Sequence, residues 1–362
     1  MKLSKITLED IARAAGVHKM TVSRALRNHQ CISPETRERI QKLARQMGYR
    51  PNPLVSIYQA HVRAGRAAQY KATIGWINDH PDRNFWHNAP WTRGLFEGAQ
   101  KRARELGYVL DEIWLEGVNS QDPDANIARY SRVIHARGIH GIILPLLFVY
   151  SHAFRPWPDV AVAVVGLQHS LPPPQAPAPD TPHNLYHTAS FDYFANMRLA
   201  CERLRALGYR RIGLVISPWL DVHSDYQYRG AFLAEQLDWP RADHVPILFD
   251  SNNAAEPSRA LGRWLERHQP DAVICSTNRA RGWLERIGRR VPHDIGLAHL
   301  YLAEDVRGWS GIDPNMPDVG AGAVDLLDQQ LRLNERGFPS KCHELFIAGR
   351  WVSGETTRRQ SA

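Results

Sequence analysis

The sequence predicts an α/β protein with a small three-helix head at its N-terminus and a two-lobed core of two doubly wound parallel sheets. Three observations carry that expectation. Charge is concentrated at one end: residues 1–70 hold 13 basic and four acidic side chains, a net of +9, whereas 71–362 hold 32 and 33. Short helical stripes with cap and glycine signals fill the first fifty residues, and from Lys71 short apolar strands alternate with helices. Within that second part the block AREL-Gly107-Tyr108 recurs as LRAL-Gly208-Tyr209, each a helix ended by glycine just before a strand. At 362 residues the chain is also longer than one packed core usually supports.

In the head, Thr7 is placed to cap a helix, with Asp10 at the reciprocal position and an apolar stripe of Leu8, Ile11, Ala12 and Ala15. Gly16 turns the chain. A second helix, His18 to Leu26, buries Val22, Ala25 and Leu26 and turns Lys19, Met20, Ser23, Arg24 and Arg27 outward. Ser33-Pro34-Glu35 supplies a cap, an N1 proline and a first-turn acid for a third helix that buries Ile40, Leu43, Ala44 and Met47 and ends at Gly48. Three short helices with a glycine turn between the first two describe a helix-turn-helix, whose second helix enters the major groove. The basic excess fits a polyanionic partner. Arg24 has the geometry to fork onto guanine O6 and N7, Lys19 reaches the same acceptors, and Met20 offers apolar contact to a thymine methyl.

Asn52 as cap and Pro53 at N1 open a further helix over Leu54–Arg63, stopped at Gly65. About ten residues are marginal as an isolated helix, because nucleation costs more than so few hydrogen bonds return. Such a segment folds only when something holds it.

In the core, strands are expected at Ala72–Ile77, Tyr108–Trp114, Gly141–Leu147, Asp159–Val165, Arg211–Ser217, Pro246–Phe249, Ala272–Ser276, Gly296–Tyr301 and Phe346–Val352, and helices at Trp91–Leu106, Asn126–Ala136 and Asp318–Leu333. Ligands of such sheets sit outside the carboxyl ends of the strands, so two lobes place a site in the cleft between them. Reading strand ends gives its candidate lining: Asn78, Asp79, Phe85, Trp86, Trp91 and Leu146 from the first lobe, and Trp219, Asp221, Arg229, Asn278, Arg279 and Tyr301 from the second.

The stretch ITLEDIARAAGVHKMTVSRAL with ISPETRERIQKLARQMGYRPNP resembles the DNA-binding head of the lactose-repressor family of bacterial transcription regulators, and the remainder of the chain is similar to that family over essentially its whole length. The resemblance implies a helix-turn-helix domain over 1–50, a hinge over 51–70 and a periplasmic-binding-type effector core over 71–362. It divides the core into a first lobe of about 71–187 and 317–343 and a second of about 188–316 and 344–362. It implies base contacts by Lys19, Met20 and Arg24, phosphate contacts by Thr21, Ser23 and Asn28, and hinge helices that pair in the minor groove of a dimer's operator. The wedge position of that hinge is Tyr58, which is either inserted between base pairs or packed on the core.

Departures from the family pattern bear on the ligand. His18 stands where the family prefers a serine or threonine cap. Asp192 and Asn278 match the family's acid and asparagine, but its sugar-clamping arginine aligns with Tyr228, leaving Arg229 one place off. The acid that follows Asn278 in many members is Arg279, and an acidic pair is displaced to Glu304-Asp305. This inverted charge pattern reads as an anionic ligand or none.

Other classes find no support in the residues. Four cysteines without a CxxC pair give neither a disulfide framework nor a zinc-finger spacing. Glu9 and Asp10 lie where an export signal would be apolar, and the longest apolar runs fall far short of the ~20 residues a bilayer needs. Gly320-Ala321-Gly322 lacks the third glycine and the preceding strand of a dinucleotide turn and reads as close helix packing. The expectation is a cytoplasmic homodimeric repressor of a DNA operator, governed by a small effector, with no cofactor, metal or catalytic centre. The competing reading is a two-lobed solute-binding or catalytic protein with a basic nucleic-acid tether.

Overall fold

A computed structural model describes residues 8–26, 31–47, 72–78, 80, 82–88, 90–115, 122–146, 157, 160–166, 185–250, 259–303, 306–333 and 335–360. The chain divides into two compact units, Met1–Lys71 with Asp328–Glu335, and Ala72–Leu327 with Arg336–Ala362.

The first unit holds α1 (Leu8–Ala15), α2 (Lys19–Leu26) and α3 (Pro34–Gln46). Glu9 and Asp10 in the first turn of α1 favour its N-terminus electrostatically. Gly16, at φ +65°, ends it in a left-handed turn in which the Val17 N–H donates back to the Ala12 carbonyl at 3.0 Å. His18 caps α2: its Nδ1 accepts from the Met20 N–H at 3.2 Å, the work a serine or threonine oxygen more often does. Ser33 Oγ accepts from the Thr36 N–H at 3.4 Å and Pro34 opens α3. The three apolar stripes meet in one small core of Ile11, Ala12, Ala15, Val22, Ala25, Ile40 and Ala44, with Leu26, Leu43 and Met47 packed at its margin. Thr7 and the hinge, Tyr58 included, lie outside the described residues.

The second unit contains two six-stranded sheets. The first runs β11-β5-β4-β3-β1-β2 and is parallel throughout, with β1 Ala72–Asn78, β2 Tyr108–Trp114, β3 Gly141–Leu146, β4 Ala161–Gly166, β5 His187–Phe191 and β11 Glu344–Ile347. The second runs β12-β10-β9-β8-β6-β7, with β6 Ile212–Ile216, β7 Leu248–Phe249, β8 Ala272–Cys275, β9 Gly296–His299, β10 Ser310–Asp313 and β12 Arg350–Val352. Only β12 is antiparallel to its neighbour there. The five consecutive strands of each sheet share one order, second-first-third-fourth-fifth, so the repeated helix-glycine-strand block marks a repeated lobe. Buried Val, Ile and Trp fill each interior: Ile113, Tyr130, Ile142, Trp157 and Val162 in the first lobe, Val215, Trp264, Val273, Trp283 and Leu297 in the second. Burial on both faces is why these strands read as continuous apolar runs rather than alternating ones.

Among the described residues the helices are α4 (Phe85–Asn88), α5 (Pro90–Glu105), α6 (Pro123–Ala136), α7 (Tyr193–Ala206), α8 (Pro218–His223), α9 (Gln227–Leu237), α10 (Arg259–His268), α11 (Ala280–Arg286) and α12 (Met316–Leu333). The chain passes between sheets three times: at Asp192, at residues 314–315, and at residues 348–349. The last passage corrects the expected lobe boundaries. Those boundaries place Thr188–Phe191 and Glu344–Ile347 in the second lobe, but the two segments pair in parallel with each other on the first sheet. Only Arg350–Val352 of the expected Phe346–Val352 strand joins the second. The open edge of β5 supplies a parallel partner that the length of the strand signal could not reveal.

Glycines let α12 lie directly on α5. A Cβ on Gly98 would run into the Pro317 carbonyl, and one on Gly320 into that of Leu95, which explains the Gly320-Ala321-Gly322 run as close packing. Gly320→Val is therefore expected to lower core stability by about 1–3 kcal/mol through overpacking. Gly262→Ala, in α10 with open space where its Cβ would sit, is expected to raise it by about 0.5–1 kcal/mol. Urea melts of the two variants check both signs.

Candidate functional site

The head presents its candidate residues on one helix. Val22 and Ala25 of α2 are buried, while Met20 is 56% exposed. Lys19 and Arg24 are exposed beside it, and Thr21 and Ser23 are half-buried. Lys19 Nζ lies 3.5 Å from Glu9 Oε2 with both side chains more than half exposed. A pair so exposed contributes little and is easily exchanged for another anion. The Arg24 guanidinium makes a long contact to Cys31 Sγ at 3.9 Å. The structure thus brings Lys19, Met20, Ser23 and Arg24 together; Asn28 lies outside the described residues.

In the first lobe the loop after β1 is folded onto the end of β2. Asn78 is fully buried and its amide is engaged: Nδ2 donates to Glu112 Oε1 at 2.7 Å and to the Arg83 carbonyl at 2.9 Å, and Oδ1 accepts from the His80 N–H at 3.1 Å. His87 Nε2 holds the second oxygen of Glu112 at 2.8 Å, and Trp114 Nε1 donates to the His80 carbonyl at 3.0 Å. Phe85 stacks on His80 at 3.9 Å. Trp86 has no exposed surface and sits edge-on to Trp76 at 5.2 Å. Asn78 and Trp86 therefore staple the loop. Asp79 lies outside the described residues, Trp91 falls in the first turn of α5 and Leu146 ends β3.

In the second lobe Ser217 caps α8 at the end of β6, its Oγ accepting from the Leu220 N–H at 3.1 Å. Asp221 in that helix is 3% exposed. One carboxylate oxygen, Oδ2, lies 3.6 Å from Arg229 Nε, and the other, Oδ1, has no hydrogen-bond partner among the described residues. Burial pushes this carboxyl above the usual range while Arg229 pulls it back. The guanidinium of Arg229 lies over the Tyr226 ring at 4.6 Å and 5.8 Å from that of Phe249. Trp219 stacks on His223 at 4.1 Å and remains 48% exposed. Asn278 and Arg279 are exposed in the turn before α11.

Residues that the sequence reading passes over or reads differently gather at the passages between sheets. Phe191 ends β5 and meets the edge of Tyr301 at 5.7 Å. The Tyr301 hydroxyl donates to Met316 Sδ at 3.1 Å, and burial, with Tyr193, Tyr228 and Asp313 nearby, holds that phenol protonated. Tyr228 is buried and packs edge-on against Tyr193 at 5.1 Å. His299 Nδ1 accepts from the Tyr301 N–H at 3.1 Å, and burial pushes this imidazole down to about 4, so it stays neutral. Asp192 is the cap of α7, accepting from the Ala195 N–H at 2.8 Å. The passages are tied to one another: Asp313 Oδ2 accepts from Arg350 Nε at 2.9 Å and Nη2 at 2.8 Å, its Oδ1 accepts from the Asn315 N–H at 3.0 Å, and Asn196 Oδ1 accepts from the Gly349 N–H at 2.7 Å.

Among the described residues no group of three or more histidines, cysteines or acids is disposed to hold a metal ion, and no helix is long and apolar enough to cross a membrane. Cys342-His343-Glu344 leads into β11, where the His343 N–H donates to His187 Nδ1 at 2.9 Å.

Comparison with known proteins assigns both parts. Residues 7–52 match the model of bacterial regulatory proteins of the lacI family, and residues 201–357 match a periplasmic binding protein-like domain. The regulator MalR of Streptococcus pneumoniae is 25% identical over 151 residues, a match spanning 42% of this chain and only 40% of that relative. The regulator DegA of Bacillus subtilis is 24% identical over 83% of each chain. The repressor CytR of Escherichia coli is 26% identical over 80% of this chain and 78% of its own. Among solved structures, the regulator CelR in complex with cellobiose has a TM-score of 0.52 at 20% identity, covering 97% of this chain and 99% of its own. A lac repressor dimer bound to operator and the anti-inducer ONPF has a TM-score of 0.52 at 18% identity, covering 98% of this chain and all of its own. At such identities the structural likeness speaks for the fold, two parallel-sheet lobes of the periplasmic-binding type. The chain thus joins a head that matches the lacI-family model to a core whose residues 201–357 match a periplasmic binding protein-like domain.

Proposed function

We propose that the chain is a sequence-specific transcriptional regulator, a repressor that binds a near-palindromic operator as a homodimer in the cytoplasm and releases or tightens on it when a small, sugar-like molecule enters the cleft between the lobes. The observation that carries this reading is the outer face of α2, where Lys19, Met20, Ser23 and Arg24 stand clear of a head core made from the opposite stripe. A basic helix held by two partner helices, with an exposed methionine between its cations, matches the needs of major-groove readout. Thr21 and Ser23, and Asn28 from the sequence, serve phosphates, and Tyr58 serves the minor groove.

The core supports the ligand half of the proposal through its topology. Both sheets turn the carboxyl ends of their strands toward the passages that join them, which is where doubly wound sheets take up ligands. The names of the structural neighbours, one with cellobiose and one with operator DNA and ONPF, favour a sugar-like molecule and a DNA partner. In this reading the cleft is a receptor with no chemistry to perform. Binding shifts the equilibrium between lobe arrangements only by as much as the molecule prefers one of them.

Selection of bound duplexes from a random pool by the full-length protein is expected to return a palindrome, measured at two salt concentrations because phosphate contacts set the non-specific affinity. Against that operator, Arg24→Ala is expected to lose about 1–3 kcal/mol and to relax preference at one base pair per half-site. Equal weakening on every sequence would make Arg24 a phosphate contact instead. In the core, Asn78→Ala is expected to lower thermal stability by about 1–3 kcal/mol, because it removes a fully buried amide that serves half-buried Glu112 and the Arg83 carbonyl. An unchanged melt with weakened ligand binding would return Asn78 to the cleft.

A further inference from the structure

We propose that the outer face of α9 is a self-association surface through which two operator-binding dimers of this chain join into a tetramer. The assignment rests on the homodimer reading and goes beyond it by adding a second contact between copies.

The first ground is a helix that is apolar on both sides. Tyr228, Ala231, Phe232 and Gln236 of α9 are buried against the lobe. On the opposite side Gly230, Leu233, Ala234 and Leu237 are exposed, and exposed Tyr226 precedes them at the helix cap. Spacings of three and four residues place these five positions in one stripe. None of them carries a charge, although the solvent face of a surface helix is where charges normally stand. Leu237 is 82% exposed, Leu233 47% and Tyr226 46%. Phe194 of α7, 41% exposed, extends the patch: it stands one turn before Arg198, whose Nε donates to Glu235 of α9 at 2.7 Å. Single apolar residues on a surface are ordinary, but a contiguous patch marks a place where another protein surface sits.

The second ground is shape. Gly230 has open space where a Cβ would stand, so the lobe itself does not require glycine there, and glycine weakens a helix interior. With Ala234 one turn on, it forms a shallow hollow beside two leucine knobs. The stripe is therefore complementary to itself. In an antiparallel pairing about a two-fold axis between positions 233 and 234, Leu237 meets Gly230 of the partner subunit and Leu233 meets the partner's Ala234.

The third ground is charge. Arg198 lies among Glu202, Glu235 and Asp238, and Arg229 lies over the Tyr226 ring. Two cations and three acids around an uncharged stripe offer little to a strongly basic or strongly acidic partner, whereas a second copy brings both signs to the rim.

Size decides which copies meet. The eleven residues of α9 span about 16 Å, and two such helices bury far less than the roughly 800 Å² per partner of a standard interface. One such contact is too small to hold the operator-binding pair. In a closed tetramer of D2 symmetry it occurs twice, and the two contacts reinforce each other.

The test follows sedimentation of the full-length protein over a range of concentrations, together with its affinity for a duplex carrying one selected operator. The expected result is a dimer–tetramer equilibrium. Leu233→Glu combined with Leu237→Glu is expected to weaken the tetramer at least about tenfold by setting like charges across the two-fold. Melting temperature and single-operator affinity should be unchanged, since both positions are exposed and glutamate suits a helix. Gly230→Leu, which fills the hollow, is expected to weaken the tetramer as well, although it adds apolar surface. Stronger association in Gly230→Leu overturns the assignment, making the patch merely adhesive. A dimer at every concentration, or a tetramer indifferent to these variants, overturns it and leaves the homodimer reading standing. Glutamate variants that become monomers and lose the operator also overturn it, because α9 would then hold the operator-binding pair itself. An unsubstituted protein that stays monomeric even on its operator overturns the homodimer reading and this assignment with it.

Discussion

Strand direction is the constraint on which the rest of the core depends. Every strand of the first sheet, and every strand of the second except β12, runs parallel to its neighbours, and both sheets repeat one strand order. Parallel strands need long crossovers, so each lobe is clothed by helices on both faces and its sheet is apolar throughout. The carboxyl ends then gather on one edge of each lobe, and the three passages between sheets leave from there. Phe191, Asp313 and Ile347 all end strands, and Asp192, Asn315 and Gly349 come within two residues of them. The same geometry that makes the sheets thus collects the aromatic, acidic and amide groups that tie the lobes together.

Much of this was legible in the residues. The head was readable because its signals are local: the Gly16 turn, the Ser33-Pro34 opening and the stripes of Ile11, Val22 and Ile40 act within one or two helical turns. Tyr108–Trp114 was readable as a strand because helix and strand meet at Gly107. By contrast, β5 was hidden. His187, Thr188 and Ser190 make it polar by composition although every residue in it is buried, and only its neighbours β4 and β11 make it a central strand. Likewise, nothing in Phe346–Val352 says that its two halves pair with different sheets, since that depends on which edges are open after the rest has folded.

Reading strand ends picked out Asn78 at the end of β1, Asp221 in α8 and Arg229 in α9 after β6, and Tyr301 just after β9. It could not tell that Asn78 would be fully engaged with Glu112 and the adjoining loop, or that Trp86 would be core, because a buried amide and a ligand-binding amide have the same spelling. The arginine in α9 was read without its partner. Its partner Asp221 lies eight residues earlier, across the short α8 and a left-handed turn at Asp225 and Tyr226, and no helical periodicity connects the two. His18 shows the opposite case: a poor cap by preference that caps well enough when the ring nitrogen meets the Met20 N–H.

The proposed regulation requires that a change among the lobes be felt at the operator, and in that proposal the passages between sheets carry it. Asp313 joins two of the three, through Arg350 and the Asn315 N–H. The most direct measurement is the operator affinity of full-length Asp313→Ala beside the unsubstituted protein, with hydrogen exchange confirming faster opening at residues 313–316 and 348–350. The account predicts an affinity changed at least threefold with the salt dependence of binding unaltered, because the head's phosphate contacts are untouched. An operator affinity identical to that of the unsubstituted protein, despite loosened passages, would contradict it.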